Sequence, residues 1–266
     1  RDRSDWLWPA VLFVCLGEIA LEAARGGAGG GLIAFSDPSV RIAISAHLAA
    51  RIQREFTTRW DTLWSGRSLL HGREAGPDAV RLNGNDYLSL TGHQDIVQAQ
   101  TLAIKTDAEF VIQSGVFLLD EHPARKLELK LARMLGQEDG LICQSGYAAN
   151  LGLLQSIADE KTVIYMDTLA HTSLWEGAHA ARAPAHAFRH NDPEHLDRML
   201  AKKGPGVVVV DSVYSTTGAL CPLREMVEVV EKHGAMILVD ESHSLGTHGP
   251  GGAGLCAELG LTDRVH

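Results

Sequence analysis

An aspartate and a histidine stand three positions apart directly after an apolar run near the end of the sequence. The run AMILVD closes on Asp240, and His243 follows in the tetrapeptide DESH. A carboxylate at the end of a buried strand is costly to desolvate unless a cationic or hydrogen-bonding partner compensates it. A protonated ring nitrogen of a cofactor is such a partner, and His243 could donate a hydrogen bond to an oxygen of the same ring. The alternative is that Asp240 caps the next turn and His243 is exposed to solvent.

A second candidate is the stretch CQSGYAAN, which leads into a helical pattern through Ser145 and Gly146. A small residue and a glycine at a helix N-terminus leave backbone N–H groups free to point at an anion, and the helix dipole favours negative charge there. This arrangement suits a phosphate group. Plain helix capping by Ser145 is the alternative. A nucleophile elbow is less well supported, because Cys143 occupies the position of the first glycine in G-x-S-x-G.

Histidine and glycine supply two further candidates. His171, in DTLAHTSLWEGA, begins a predicted helix after a predicted strand, where an imidazole could stack on a flat ring. The stretch GPGGAG matches the dinucleotide pattern G-x-G-x-x-G, but an eight-residue spacer and Pro250 separate it from the preceding strand. We interpret it as a glycine-rich loop on the substrate side. The other histidines of this half of the chain are interpreted as surface residues: His179, His186, His190 and His195.

Composition restricts the class of protein. The 266 residues suffice for one large domain, or for one and part of another, and the apolar content of 45% is typical of a globular protein. The net charge of −9 argues against a nucleic-acid partner, so small-molecule substrates are expected. The cysteines form neither a zinc motif nor a disulfide framework, which indicates reduced thiols in the cytoplasm. They are Cys15, Cys143, Cys221 and Cys256.

The opening segment is apolar from Trp6 to Ile19, but Pro9 and Glu18 interrupt it. It falls short of the roughly 20 residues of a membrane span. We therefore expect no membrane association. The glycine-rich stretch RGGAGGGL then places a boundary near residue 40, so that residues 1–40 form an extension to which we assign no role.

Periodicity organises the rest of the chain. Residues 41–92 are expected to hold an N-terminal helix, with its pattern over 40–64, and a short strand and turn over 80–93. Further helices are predicted over 94–109, 121–135, 146–157, 171–181, 193–203 and 223–233. Short apolar runs predict strands at GLICQ, TVIYMD, AHAF, GVVVVD and AMILVD.

This alternation predicts an α/β fold with a mainly parallel sheet flanked by helices. In such sheets ligands bind beyond the carboxyl ends of the strands. Asp167, Asp211 and Asp240 each close an apolar run, so we expect all three at that edge.

Five motifs follow one another along the chain: NDYLSL, CQSGYAANLGLLQ, AHTSLWEGA, VVDSVYSTTGALCPL and VDESHSLGTHGPGGAG. In this order they resemble the motifs of the α-oxoamine synthases, which are pyridoxal 5'-phosphate (PLP) enzymes of fold type I that condense an amino acid with an acyl-CoA. SLWEGA and DESHSLGTHGP are most similar to the α-hydroxyketone quorum-sensing autoinducer synthases of the Vibrio and Legionella type. Biosynthetic enzymes of the 8-amino-7-oxononanoate synthase or 2-amino-3-ketobutyrate CoA ligase type are the alternative within the class.

The resemblance covers residues 44–266 and implies that residues 93–266 form a partial PLP-binding large domain of fold type I. It also implies acyl-CoA and an amino acid as substrates, an amino ketone precursor of the autoinducer as product, and a cytoplasmic homodimer. Three residues are implied to be catalytic. Asp240 pairs with the pyridine nitrogen, His243 bonds the ring's phenolate oxygen, and His171 stacks on the ring face.

Further binding residues follow from the same motifs. Ser145 and the backbone amides of Gly146 and Tyr147 are implied to hold the cofactor phosphate. Asp211 and Ser215 are implied to support the ring. Asn85 and Tyr87 are implied to line the substrate entrance.

The resemblance also implies a Schiff-base lysine after a further strand beyond DESH. No lysine follows Lys232 in this sequence. We therefore expect a C-terminally truncated fragment that lacks the catalytic lysine and does not turn over, although it could bind PLP weakly. Two hypotheses from other classes stay open, a metal-dependent hydrolase using Asp240, His243, His171 and Glu241, and a non-catalytic binding partner.

Overall fold

The computed structural model describes residues 32–34, 41–43, 46–54, 76, 78, 84–106 and 121–266. The chain divides into two compact units, residues 1–82 and 83–266. The expected domain limits at residues 40 and 92 stay a prediction. The apolar opening segment and the glycine-rich stretch up to residue 31 lie outside the described residues.

The first unit contains a short antiparallel pair and a helix. Strand β1 (Leu32–Ala34) pairs with β2 (Arg41–Ala43), and helix α1 spans Ala46–Ile52. The predicted helix over 40–64 is therefore wrong at its start, where residues 41–43 form a strand. Three residues are too few to distinguish the period of a helix from that of a strand, and here pairing with β1 favours the strand. Residues 55–64 lie outside the described residues.

The second unit begins with turns over residues 84–93, followed by α2 (Gln94–Thr106) and α3 (Pro123–Met134). The short strand predicted here is absent from the described residues 84–93. The Asp86 carboxylate accepts the backbone N–H groups of Leu90 at 2.7 Å and Thr91 at 2.9 Å, so this side chain organises a turn. These bonds lower the pKa of Asp86, the Thr91 contacts most strongly.

Four parallel strands form the centre of the second unit in the order β4-β3-β5-β6. They are β3 (Ile164–Asp167), β4 (Ala185–Phe188), β5 (Val207–Asp211) and β6 (Met236–Asp240). Strand β5 is buried along its whole length, which explains its continuous run of valines.

The predicted strand GLICQ is wrong, because residues 140–144 form a loop in which Leu141 is 81% exposed. Side chains of α3 bind the backbone of this loop. The Glu128 carboxylate accepts the Ile142 N–H at 2.8 Å, and Arg125 donates to the Gly140 carbonyl at 3.2 Å. These contacts take the place of a strand partner.

Helices flank the sheet on both faces. They are α4 (Gly146–Ile157), α5 (Thr172–Ala180), α6 (Pro193–Lys203), α7 (Leu223–His233) and the short α8 (Leu255–Glu258). The helices α4, α6 and α7 keep the predicted bounds. Asp192 caps α6 by accepting the His195 N–H at 2.7 Å. Gly234, at φ +63°, ends α7 in the left-handed conformation that glycine adopts without steric cost.

Two apolar clusters cover the two faces of the sheet. Val208 and Val210 belong to the cluster beneath α6 and α7, whereas Val207 and Val209 belong to the cluster beneath α4 and α5. Helices α4 and α5 approach closely at Gly177, where a Cβ atom would lie 2.8 Å from a methyl carbon of Leu154. Among the helices that the structure describes, none combines the length and apolar character needed to span a bilayer.

Candidate functional site

Two aspartates end neighbouring strands at the carboxyl edge of the sheet. Asp211 and Asp240 are register partners at the ends of β5 and β6. Asp211 is 3% exposed, its Oδ2 accepts the His171 N–H at 3.1 Å, and its Oδ1 is buried without a hydrogen-bond partner. Burial, together with the nearby charge of Asp240, raises the pKa of Asp211 to about 7. Such a pair is suited to a cationic ligand.

Asp240 is held in one orientation by two donors. Its Oδ1 accepts the Ser242 N–H at 2.9 Å, and its Oδ2 accepts from the Asn150 side-chain amide at 2.7 Å. Asp240 therefore does organise the next turn, as the structural alternative expected. Among the described residues, neither Asp240 nor Asp211 forms an ion pair with a basic side chain.

His171 lies at the same edge, as the N-cap of α5. Its Nδ1 lies 2.7 Å from the Ser173 hydroxyl and accepts the Ser173 N–H at 3.2 Å. The imidazole is exposed and stands edge-on to the Tyr147 ring, with centroids 6.3 Å apart. Its main-chain bond to Asp211 and its place beside Tyr147 bring three of the predicted site residues together.

His243 contacts the turn-rich segment that precedes α2. The Tyr87 hydroxyl lies 2.5 Å from His243 Nδ1, and a Cβ atom on Gly246 would lie 3.7 Å from the Leu88 side chain. The structure thus brings Tyr87 onto the DESH turn. Asn85 is exposed in a bend two residues earlier.

The N-terminus of α4 lies beside the same turn, because a Cβ atom on Gly146 would lie 3.5 Å from the Ser242 hydroxyl. Ser145 caps the helix by accepting the Ala148 N–H at 3.1 Å. The first N–H groups of a helix, here those of Gly146 and Tyr147, have no intrahelical acceptor. Capping by Ser145 and anion binding by these amides are therefore compatible.

Ser215 is exposed in the turn after β5, and none of the hydrogen bonds in the described part of the chain joins it to the two carboxylates. Its predicted contact with the cofactor stays a prediction.

Asp167, the third strand-end aspartate, is fully buried and accepts three hydrogen bonds. It accepts from the Leu169 N–H at 2.8 Å, the Asn191 N–H at 2.9 Å and His190 Nδ1 at 3.0 Å. The interpretation of His190 as a surface residue is therefore wrong. Its ring is half-buried and packs edge-to-face on Tyr214 with centroids 4.4 Å apart.

Glu241 stabilises the glycine-rich loop. Its Oε1 accepts hydrogen bonds from the Cys256 N–H at 2.9 Å and from the Ser244 hydroxyl at 3.1 Å. The Ser244 hydroxyl also lies 2.9 Å from the Ser212 hydroxyl. Gly254 adopts φ +95°, a conformation that favours glycine, and its Cα lies so close to the Glu241 carboxylate that a Cβ atom would be 2.6 Å from it. The part of the chain that the structure describes holds no group of three or more metal-ligating side chains, so the hydrolase hypothesis lacks support.

Sequence reasoning missed Asn150 and Ser173, which join Asp240 to His171. Asn150 Nδ2 lies 2.7 Å from Asp240 Oδ2 and 2.9 Å from the Ser173 hydroxyl. The available signal was an amide side chain in the otherwise mostly apolar helix GYAANLGLLQSI. Its partners lie 23 and 90 positions away, so only the fold identifies them.

Residues 77–264 match the family model described as aminotransferase class I and II. This match covers well over half of the sequence, and the chain belongs to the aminotransferase class I and II family.

Individual relatives narrow the comparison. A CAI-1 autoinducer synthase from Vibrio campbellii is 46% identical over 199 residues, which are 75% of this chain and 51% of that protein. An 8-amino-7-oxononanoate synthase from Mycobacterium sp. strain KMS is 36% identical over 197 residues, 73% of this chain and 52% of that protein. The chain spans about half the length of the curated relatives it matches.

A solved structure supports the same relationship. A serine palmitoyltransferase from S. paucimobilis with bound PLP-myriocin aldimine superposes with a TM-score of 0.71 at 29% identity, covering 82% of this chain and 58% of that one. The expected α/β architecture, with a parallel sheet flanked by helices as in fold type I, is confirmed. The resemblance to the α-oxoamine synthases, first drawn from the motifs, is confirmed as well.

Proposed function

We propose that this chain provides the cofactor-binding face of a PLP-dependent acyltransferase. The enzyme would join an amino acid and an acyl-CoA into the amino ketone precursor of an α-hydroxyketone autoinducer. The observation that carries this proposal is the Asp211–Asp240 pair, which lacks a cation among the described side chains in a chain 46% identical to a CAI-1 autoinducer synthase.

The side chains at this edge fit PLP. A protonated pyridine nitrogen would supply the positive charge that two neighbouring carboxylates favour, with Asp240 as its partner and Asp211 in support. The N–H groups of Gly146 and Tyr147 at the start of α4 would hold the phosphate. When bound, PLP withdraws electrons from the carbon next to the amino group of the substrate.

The two histidines would serve the polar and flat parts of the ring. When the Tyr87 hydroxyl donates to Nδ1, His243 carries its proton on Nε2, which is then available to donate to the ring oxygen. His171 is exposed at the edge, beside Tyr147, where its imidazole can lie over a ring. Ser215, Asn85 and Tyr87 complete the proposed contacts.

The substrates, assembly and compartment are proposed from the relatives. Their printed names include a palmitoyltransferase, which supports an acyl donor, and we assign acyl-CoA and an amino acid to this chain. We also assign a homodimer. The three cysteines that the structure describes are unpaired, which supports the reducing cytoplasm. A biosynthetic 8-amino-7-oxononanoate synthase activity is the second candidate, supported by the 36% identity to that enzyme.

Equilibrium dialysis of the purified chain against PLP tests the cofactor assignment. Replacing Asp240 by Asn removes the negative partner of the ring nitrogen and should weaken PLP binding about tenfold or more. Asp263→Asn, at an exposed position, is the matched control and should bind as the unaltered chain does. Equal PLP binding by the Asp240→Asn and Asp263→Asn variants would refute the assignment.

Spectra of the PLP-loaded chain separate the two candidate activities. Amino acids of increasing side-chain length, added with medium-chain acyl-CoA, should perturb the bound PLP spectrum with a preference that identifies the donor. A response confined to glycine, alanine or serine, the donors that we assign to the biosynthetic enzymes of this class, would favour the biosynthetic candidate.

A further inference from the structure

We propose that Asn150 is a positioning residue that couples Asp240 to His171 through the buried hydroxyl of Ser173, and that this coupling sets the imidazole tautomer of His171. The proposal rests on the proposed function, because it concerns the same site. Neither Asn150 nor Ser173 is assigned to ligand contact. Both act through the residues to which they are bonded.

The orientation of the Asn150 amide follows from its partners. An ionised carboxylate can only accept hydrogen bonds, so the group 2.7 Å from Asp240 Oδ2 must be the NH₂ of Asn150. The second hydrogen of the same NH₂ is then directed to the Ser173 hydroxyl oxygen at 2.9 Å. Asn150 therefore donates in both directions.

The proton of Ser173 is fixed in turn. Because its oxygen accepts from Asn150, its own hydrogen is free to be donated to His171 Nδ1, 2.7 Å away. The Ser173 backbone N–H is directed at the same nitrogen at 3.2 Å. With two donors directed at it, Nδ1 is an acceptor, and the ring proton of neutral His171 lies on Nε2.

Helix packing makes this connection possible. A Cβ atom on Gly177 would lie 3.0 Å from the backbone carbonyl oxygen of Asn150 and 2.8 Å from the Leu154 side chain, so glycine favours this close approach of α4 and α5. The approach brings Asn150 within reach of Ser173, which is fully buried. A buried hydroxyl is retained at low cost when its bonds are satisfied, as they are here.

The coupling has a defined consequence for the site. Asp240 keeps one oxygen fixed by Asn150 and the other fixed by the Ser242 N–H, so the carboxylate has one orientation. The Nε2–H of His171 is then a hydrogen-bond donor that points outward in the plane of the ring. One chain of hydrogen bonds thus holds both the Asp240 carboxylate, the proposed partner of the cofactor, and the His171 imidazole, which is proposed to stack on it.

Nitrogen-15 NMR of the His171 imidazole tests the tautomer without any ligand. The unaltered chain should show Nε2 protonated and Nδ1 unprotonated. Asn150→Leu frees the Ser173 hydroxyl to reorient, and Ser173→Ala removes it, so both variants should raise the fraction of the Nδ1-protonated form, although the backbone N–H of residue 173 still favours Nε2–H. Ser156→Ala, at an exposed hydroxyl of the same helix, should leave the tautomer unchanged.

Ser173→Ala is the smaller change and keeps the test valid if Asn150→Leu does not fold. An unchanged ratio of the two tautomers in folded Ser173→Ala and folded Asn150→Leu alike would overturn the coupling. PLP binding is the second readout, and Asn150→Leu should weaken it about tenfold, since Asp240 loses its amide donor. If the unaltered chain binds no PLP, the proposed function fails, and the tautomer result still decides the coupling.

Discussion

Asp167 at the end of β3 and the Asp211–Asp240 pair at the ends of β5 and β6 lie at the same edge of the sheet, but their carboxylates differ in how fully they are hydrogen-bonded. Asp167 is fully buried and has three donors, from Leu169, Asn191 and His190. Asp211 is nearly as buried, but one of its oxygens has no partner, and its pKa is raised to about 7 by burial and by Asp240.

The difference shows that burial of a strand-end aspartate does not by itself indicate function. Where the fold supplies enough donors, the carboxylate stabilises the loops around it. Where it supplies too few, the charge is available for a ligand. Asp167 therefore has a structural role in this interpretation, and we call it and its donors the structural corner. We call the Asp211–Asp240 pair the binding corner.

The largest expected effect is at the structural corner. Asp167→Asn replaces an acceptor oxygen by an NH₂ group that faces N–H donors, and it removes the charge from three bonds. We expect the free energy of unfolding to fall by about 3 kcal/mol. Urea denaturation at neutral pH measures this loss, and a change below about 1 kcal/mol would place Asp167 in the same class as Asp211.

Replacing Asp211 in the binding corner should have the opposite effect on stability as pH rises. Asp211 has a folded pKa of about 7, above its ordinary value of 3.8, so the folded chain binds the proton more tightly and stability falls as pH rises through this window. Asp211→Asn removes this loss. Between about pH 5 and about pH 8 the unaltered chain should lose about 2 kcal/mol relative to Asp211→Asn. Parallel stability profiles would contradict the raised pKa.

Removing one of the three donors to Asp167 should make this carboxylate more similar to Asp211, which has fewer donors. His190→Leu deletes one of the three bonds to Asp167 and should cost about 1.5 kcal/mol of folding free energy. His179→Leu, at an exposed histidine, is the matched control. Thermal and urea unfolding of both variants measure the difference. Equal stability of the two variants would show that His190 contributes nothing to Asp167.

The smallest expected effect on stability is at Tyr87. Its side chain is 48% exposed, so Tyr87→Phe should change the free energy of unfolding by less than about 0.5 kcal/mol. The same change removes the hydroxyl beside His243 Nδ1 and should alter the spectrum of added PLP. A stability loss without a spectral change would assign Tyr87 to the fold instead of the binding corner.

The sequence predicted the parts of this comparison that depend on local pattern. The spans of α4, α6 and α7 follow from periodicity, and the structure shows Asp192 capping α6 and Gly234 ending α7. The strand-end position of Asp211 and Asp240 follows from the apolar runs before them.

What the sequence could not predict depends on contacts between distant segments. Residues 140–144, which were predicted as a strand, form a loop that is hydrogen-bonded to a side chain of α3. His190 is hydrogen-bonded to an aspartate 23 positions away. Asn150 and Ser173 meet where α4 and α5 pack closely at Gly177. Periodicity contains no information about such pairs, since they arise from packing.

The most direct test of a cationic ligand at the binding corner is the pKa of Asp211, measured by carbon-13 NMR with and without PLP. Asp211→Asn identifies the resonance. We expect a value near 7 in the free chain and a clear decrease when PLP binds, because a protonated ring nitrogen favours the ionised carboxylate. Inorganic phosphate, which has no ring nitrogen, should leave the value unchanged. A pKa of Asp211 that stays the same when PLP is bound would contradict the assignment of this corner to the pyridine ring.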